Sequence, residues 1–259
     1  MFIDSHCHLN YKGLVEDQAG VIARARGAGV SGMLNISTRE SEWDDVIAVA
    51  ERDTAIWASV GIHPHEADGH PDIDTGKLTA RAAHPRVVAI GETGLDYYYD
   101  HSDRDQQKIS FRAHIAASRE TGLPLIVHTR DAEADTADIL AEEMGNGGYS
   151  GVIHCFTASQ KFAEKALALG LYVSISGIVT FKNAKDLQAS AVAIPEDRLL
   201  IETDAPFLAP APHRGRPCEP AFVADTARFL ADLRGVSVEV LAAQTRANFF
   251  RLFGKAEPA

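Results

Sequence analysis

Short apolar runs rich in β-branched residues alternate along this chain with longer segments whose apolar positions recur at helical spacing. Runs of that kind, mostly apolar on both sides of the chain, are expected of strands covered on two faces, and strands alternating with helices predict repeated βα units and a parallel sheet. The predicted strands are Phe2 to His8, Gly32 to Ile36, Ile56 to Ile62, Val87 to Glu92, Leu125 to His128, Gly151 to Phe156, Leu171 to Ile175 and Leu199 to Thr203. Helices are predicted over Ser102 to Gly122 and Asp131 to Met144, with two more after the last strand, Pro220 to Leu233 and Val238 to Phe253. In Pro220 to Leu233 the stripe Phe222, Thr226, Phe229, Leu233 can face a sheet.

Eight βα units fit a closed barrel, a fold that commonly takes about 250 residues as one domain. An open doubly wound sheet fits the same count but usually carries a glycine-rich phosphate turn after its first strand, and none is found here. The reading is therefore an α/β protein, a single TIM-type (β/α)8 barrel over residues 1–259, with 254–259 as a loose tail.

The composition narrows the function classes. Over 259 residues there are 36 acidic and 25 basic side chains, a formal charge of −11, which excludes wholesale coating of nucleic acid. With 46% hydrophobic and 24% charged residues, disorder is excluded as the main state. Cys7, Cys155 and Cys218 form no CxxC pair and no disulfide framework, which favours a reducing compartment. Asp4 and His6 fall where a secretory signal would be basic and then apolar, and no apolar run approaches a membrane span. The expectation is a cytoplasmic, membrane-free protein, with a monomer favoured over an oligomer.

Metal-binding side chains stand at the ends of five predicted strands: His6 and His8, Glu92, His128, His154 and Asp204. Because side chains alternate along a strand, His6 and His8 share one face and Cys7 takes the other, as a packing residue. A lone strand-end histidine is more often a hydrogen-bonded core or surface residue than a ligand. Six candidates on one barrel rim, mixing imidazole with carboxylate, exceed what one closed structural site needs and favour two ions with open positions.

The segments DSHCHLN (4 to 10), GIHPH (61 to 65), GETGLDYYY (91 to 99), HTRDA (128 to 132), HCFTAS (154 to 159) and IETDAPFL (201 to 208) resemble the TatD family of metal-dependent deoxyribonucleases, part of the wider group of amidohydrolase-like barrels. The resemblance runs from Phe2 to the final helix. It implies that the six residues bind a pair of divalent metals with Glu92 as the bridging carboxylate. It also implies phosphodiester hydrolysis by metal-activated water, most specifically a 3′-to-5′ exonuclease on DNA, acting on single strands or 3′ ends. Asp204 is the candidate general base. Magnesium or manganese is expected from the resemblance, while four histidines keep zinc a possibility.

Neighbouring residues have two readings each. His63 could contact a scissile phosphate; His65 could do so or cap a loop. Arg130 could offer a fork to phosphate or form a structural ion pair. Glu202, two residues before Asp204, could accept the far ring N–H of a histidine ligand. Cys155 is expected to pack against a helix. Tyr97, Tyr98 and Tyr99 could stack on bases or underpin a loop, with no more than one stacking contact expected. Lys182, Lys185, His213, Arg214 and Arg216 are expected to form a basic lip on the catalytic rim, which would reconcile an acidic protein with an anionic substrate. Two positions depart from the family pattern: Asn10, where aspartate is common, and Cys218, at an asparagine-like position. The alternative function is a metal-dependent deacylase or amidase, including one acting on aminoacyl-tRNA. A non-catalytic metal-binding protein is disfavoured because every ligand position is filled.

Overall fold

The computed structural model describes residues 1–257 of the chain. All eight predicted strands form: β1 (Phe2–Cys7), β2 (Val30–Asn35), β3 (Ile56–Val60), β4 (Val87–Asp96), β5 (Leu125–Arg130), β6 (Gly151–Ile153), β7 (Tyr172–Ile175) and β8 (Leu199–Ile201). They join in sequence order into one parallel eight-stranded sheet. The sheet closes just beyond β8, where Asp204 N donates to His6 O at 2.9 Å and His8 N donates to Ala205 O at 2.8 Å. The architecture is the expected TIM-type barrel.

Around it lie α1 (Gln18–Gly27), α2 (Trp43–Arg52), α3 (Thr75–Ala82), α4 (Arg104–Thr121), α5 (Glu133–Gly145), α6 (Gln160–Ala168), α7 (Lys185–Ala193), α8 (Val223–Arg234) and α9 (Val238–Leu252). Among the described residues no helix is long and apolar enough to cross a membrane. Local chemistry sets the helix ends. The Asp103 carboxylate accepts from Asp105 N and Gln106 N to start α4, and Gly122, at φ +71°, takes the left-handed conformation that stops it. The buried face of α8 is Val223, Ala224, Thr226, Ala227, Leu230 and Ala231; of the sequence stripe Thr226 is fully buried, while Phe222, Phe229 and Leu233 sit at the edges, only partly buried.

The apolar side chains divide into two clusters. The larger fills the layer between sheet and helices. The smaller lies in the barrel's N-terminal half, where Ile3, Leu34, Trp57, Val88, Val152 and Leu200 meet Phe249, Leu252 and Phe253 of α9 and the residue after it. Trp57 packs on Phe249 with ring centroids 5.2 Å apart, and a Cβ at Gly32 would come within 2.8 Å of the Trp57 ring, so glycine leaves the space the indole fills. The stretch expected to be loose from Gly254 is tied down as far as it is described: Lys255 Nζ donates to Ala82 O and His84 O, and Ala256 is buried in this cluster. Positions 258 and 259 lie outside the described residues.

Two register shifts matter for the site. Ile3 points into the barrel, yet His6 and His8, of opposite parity, also face its interior, and the change falls at the shift between Asp4 and Cys7. A second shift, between Ile90 and Thr93 of β4, precedes and follows Glu92. Irregularities of this kind re-aim side chains beside functional sites. β4 also runs past its expected end at Glu92 as far as Asp96, with Gly94 against the β5 backbone where a Cβ would collide with the His128 carbonyl.

Candidate metal centre

The strand ends enclose a cavity of about 620 Å³ whose wall includes His8, Glu92, His128, His154 and Asp204. His6 lies immediately beneath, 1% exposed, its ring stacked on His154 at 4.0 Å. Glu92 is the hub. Its Oε1 is 2.8 Å from His154 Nε2, 3.1 Å from His128 Nδ1 and 3.4 Å from His63 Nε2, while Oε2 is 3.3 Å from His6 Nε2. Asp204 Oδ1 stands 3.3 Å from His8 Nε2 and 3.6 Å from His6 Nε2. The structure thus brings all six sequence-predicted ligands together, with the two oxygens of Glu92 turned to different histidine sets.

Three of the four histidines are anchored from behind. His8 Nδ1 donates to Ile36 O at 3.3 Å, His154 Nδ1 to Glu202 Oε1 at 3.3 Å, and His128 Nε2 to Asp96 Oδ2 at 3.0 Å. With the outward nitrogens so engaged, each inward nitrogen faces carboxylate oxygens, where it carries either a proton or, in the neutral ring, a lone pair open to a cation. His128 Nδ1 and His154 Nε2 are only 3.3 Å apart. Among the described residues His6 has no hydrogen-bond partner at either ring nitrogen, and Glu202 Oε2 has none. Buried polar groups are almost always satisfied, and lone pairs crowded against carboxylates repel unless positive charge lies between them. The donor set of neutral imidazoles and carboxylates suits divalent cations, and the ligand atoms of His6, His8 and Glu92, and of His63, Glu92 and His128, fall within 4.8 Å of one another. The residues fit divalent metal.

The electrostatics agree. Burial alone would raise the Glu92 carboxyl, but His154, His63 and hydrogen bonds from His128 and His154 hold it well below the usual range. Asp204 is likewise pushed up by burial and brought below its ordinary value by His8 and His6. Burial lowers His8, His128 and His154, and the facing carboxylates more than reverse this. His63 behaves differently, since burial outweighs Glu92 and holds it well below a normal histidine. Asp4, fully buried beneath the centre, is pushed by burial up to about 8 against hydrogen bonds from Thr203 and the His6 N–H, and it links β1 to the segment carrying Asp204.

The neighbours divide. Glu202 takes the expected place behind His154. His63 caps the turn after β3, its Nδ1 accepting from His65 N at 3.1 Å, which leaves the proton on Nε2 facing the centre. His65, whose alternative reading was the cap, instead has Nε2 2.9 Å from Asp96 Oδ2. Arg130 makes no ion pair among the described residues; its guanidinium lies 3.9 Å over the Tyr98 ring and 4.8 Å over Tyr99, on the cavity wall. Tyr97 is a foundation, bonded to Asp135, whereas Tyr98 and Tyr99 are exposed. Cys155, expected to pack against a helix, lines the cavity with Sγ 3.3 Å from Ser176 Oγ. The basic lip is not part of the cavity wall. Lys182, Arg214 and Arg216 are exposed beyond it, with Arg214 over the Phe181 ring, while Lys185 bonds Gln188 and His213 is paired with Asp225.

Asp96 escaped the sequence reading because β4 was ended four residues early. Glu92 and Asp96 share parity, so the alternation in GETGLD carried the signal for a longer strand whose second acid faces the same centre.

Comparisons with known proteins agree with this geometry. The family described as TatD related DNase matches residues 3–254. The uncharacterized metal-dependent hydrolase YcfH of Escherichia coli strain K12 is 47% identical over 255 residues, covering 97% of this chain and 95% of the relative. The 3′-5′ ssDNA/RNA exonuclease TatD of Erwinia tasmaniensis is 38% identical over 244 residues, covering 92% and 94%. The crystal structure of YJJV, a TatD homologue from E. coli K12, superposes with a TM-score of 0.89 at 29% identity, covering 98% of each chain. With its barrel, its converged imidazoles and carboxylates and a match over nearly its whole length, this chain belongs to the TatD-related DNase family of metal-dependent hydrolases.

Proposed function

We propose that this protein is a two-metal exonuclease that removes nucleotides from the 3′ ends of single-stranded DNA. The observation that carries the reading is the wall of the 620 Å³ cavity, where His8, Glu92, His128, His154 and Asp204 adjoin Arg130, a cation with no carboxylate partner among the described residues, and the exposed rings of Tyr99 and Phe207. The other arginine on the wall, Arg39, is held by Glu42 and Glu66. The exonuclease name of the Erwinia relative supports the same reading.

His6, His8, Glu92, His128, His154 and Asp204 would hold the cation pair. Once bound, the pair supplies a water acidic enough to ionise near neutral pH and positive charge for the phosphoryl oxygens. The chain's own groups do the rest. Asp204, ionised and 15% exposed in its side chain, accepts the proton of the attacking water. His63, kept neutral by burial with its proton on Nε2, donates to a phosphoryl oxygen. Arg130 clamps the phosphate, and the exposed ring of Phe207 offers a stacking surface to an unpaired base. Lys182, Arg214 and Arg216 would meet only the backbone of a longer strand.

The test is a substrate panel. Protein loaded with Mg²⁺, Mn²⁺ or Zn²⁺ is given 5′-labelled and 3′-labelled single-stranded DNA, blunt duplex, RNA, and carboxylic ester, amide and aminoacyl-tRNA substrates. A ladder of products shortened from the 3′ end and abolished by chelator is expected. Turnover confined to the ester or amide arm would reject the nuclease in favour of a deacylase.

A further inference from the structure

We infer that Asp96 is a positioning residue: it fixes which ring nitrogen His128 turns toward the metal centre. The inference rests on the metal-binding part of the proposed function, not on the choice of substrate.

Asp96 is held so firmly that its carboxylate has one orientation. Its backbone is clamped by the buried Gln107 side chain, which accepts from Asp96 N at 2.8 Å and donates to Asp96 O at 3.1 Å. Oδ1 accepts from Tyr98 N at 3.0 Å and Tyr99 N at 3.1 Å. Those bonds leave Oδ2 to face two imidazoles, His128 Nε2 at 3.0 Å and His65 Nε2 at 2.9 Å. An acceptor at that point keeps the His128 proton on Nε2 and frees Nδ1, which lies 3.1 Å from the hub oxygen of Glu92.

Across the centre Glu202 does the same for His154 with the opposite nitrogen. Glu202 Oε1 is fixed by Cys155 N at 2.7 Å and receives His154 Nδ1, so Nε2 faces Glu92. Two histidines on neighbouring strands therefore offer different nitrogens to one carboxylate oxygen, and each choice is dictated by its own backing acid. The consequence is separability: Asp96 governs the half of the centre that includes His128, and Glu202 the half that includes His154.

The replacement Asp96→Asn tests orientation without changing volume. Its amide NH₂ must face either the Tyr98 and Tyr99 N–H groups or His128 Nε2, so one donor meets another whichever way it turns. Zinc-loaded protein with ¹⁵N-labelled histidine, free of nucleic acid, is observed by NMR alongside calorimetric titration with Zn²⁺ and Mn²⁺. In the wild type the His128 ring should show a protonated Nε2. Asp96→Asn should weaken one of the two metal-binding events 10- to 100-fold and leave the other, Glu202→Gln should weaken the other, and the double variant both. A wild-type His128 protonated on Nδ1, or an Asp96→Asn variant with both events at wild-type affinity, overturns the inference. The wild-type ring measurement decides the matter even if a variant fails to fold. A protein that passes these tests and leaves DNA intact would separate this inference from the nuclease proposal.

Discussion

At the floor of the barrel Ile3, Leu34, Trp57, Val88, Val152 and Leu200 interlock with Phe249 and Phe253; a few residues further along the same strands, the mouth gathers four histidines and two carboxylates around a cavity. Floor residues are held by apolar contact, although the Trp57 Nε1–H has no hydrogen-bond partner among the described residues. Mouth residues include His6, whose two ring nitrogens have no hydrogen-bond partner among the described residues, and non-glycine positions in the left-handed region at Asp131, Cys155, Asp204 and Leu208. Such backbone positions cost roughly 1–3 kcal/mol each and persist only where the surroundings enforce them. The first half of each strand thus stabilises what the second half strains, which lets the loops carry chemistry on a scaffold that does not depend on them.

If that division is real, the largest effect should come from the mouth and should not touch stability. Asp204→Asn is expected to lower kcat about 10²- to 10⁴-fold. The thermal midpoint of the metal-free protein should move little, since the isosteric replacement keeps the volume and loses only the attraction of His8 and His6 for the carboxylate. Steady-state kinetics with melting curves on one preparation give both numbers. Wild-type turnover would remove Asp204 as the base.

The floor should give the reverse. Phe249 is fully buried, 5.2 Å from the Trp57 ring and 4.7 Å from Phe253, and replacing a core phenylalanine by alanine costs about 3–5 kcal/mol. Phe249→Ala should shift chemical denaturation by that amount while turnover per folded molecule stays within about twofold at a temperature where the variant remains folded. A fall in kcat matching that of Asp204→Asn would mean floor and mouth are mechanically one.

Between the two lies His114 of α4, buried outside the sheet, whose Nδ1 donates to Ser110 O at 2.7 Å and whose Nε2 accepts from Ile62 N at 2.9 Å, next to His63. Burial lowers it to about 4, the Ser110 bond opposing. Below about pH 6.5 the unfolded chain binds a proton here that the folded chain refuses until about pH 4, so stability falls as pH drops through that window, by up to about 3 kcal/mol. His114→Gln should flatten this part of the stability-pH curve. An unchanged slope between pH 6.5 and 4 would show that His114 does not bridge the two regions.

The sequence made the floor easy to read and the mouth only partly so, for a physical reason. Apolar runs such as Ile56 to Ile62 announce strands because burial on both faces demands them, and strand-end histidines announce themselves by position. The direction of a loop is not encoded locally, so the sequence alone does not say that Lys182, Arg214 and Arg216 stay outside the cavity wall. His63 and His65, separated by Pro64, could not be assigned between cap and site, because both outcomes use the same residue type. Asp96 hid behind the apparent end of β4, where the glycines that let β4 pass close to β5 look like a turn.

The smallest effect belongs to Arg130, where the mouth meets solvent. Its guanidinium rests on Tyr98 and Tyr99 and has no carboxylate partner among the described residues, so removing it leaves no buried charge behind and should not alter the melting temperature measurably. Its use, on the proposed function, is one phosphate contact. Arg130→Ala should then raise KM for single-stranded DNA roughly tenfold with kcat nearly unchanged. It should also make the slope of log(kcat/KM) against log[salt] shallower by about 0.7, one counterion's worth on a single strand. Arg130→Lys separates charge from shape. Lysine keeps the counterion but lacks the planar fork, so the salt slope should return while part of the KM loss stays. A kcat loss as large as that of Asp204→Asn would move Arg130 from binding into the chemistry. No change in KM or salt slope would make it a prop for the two tyrosines, and the boundary between mouth and surface would then run inside the ring of exposed aromatics.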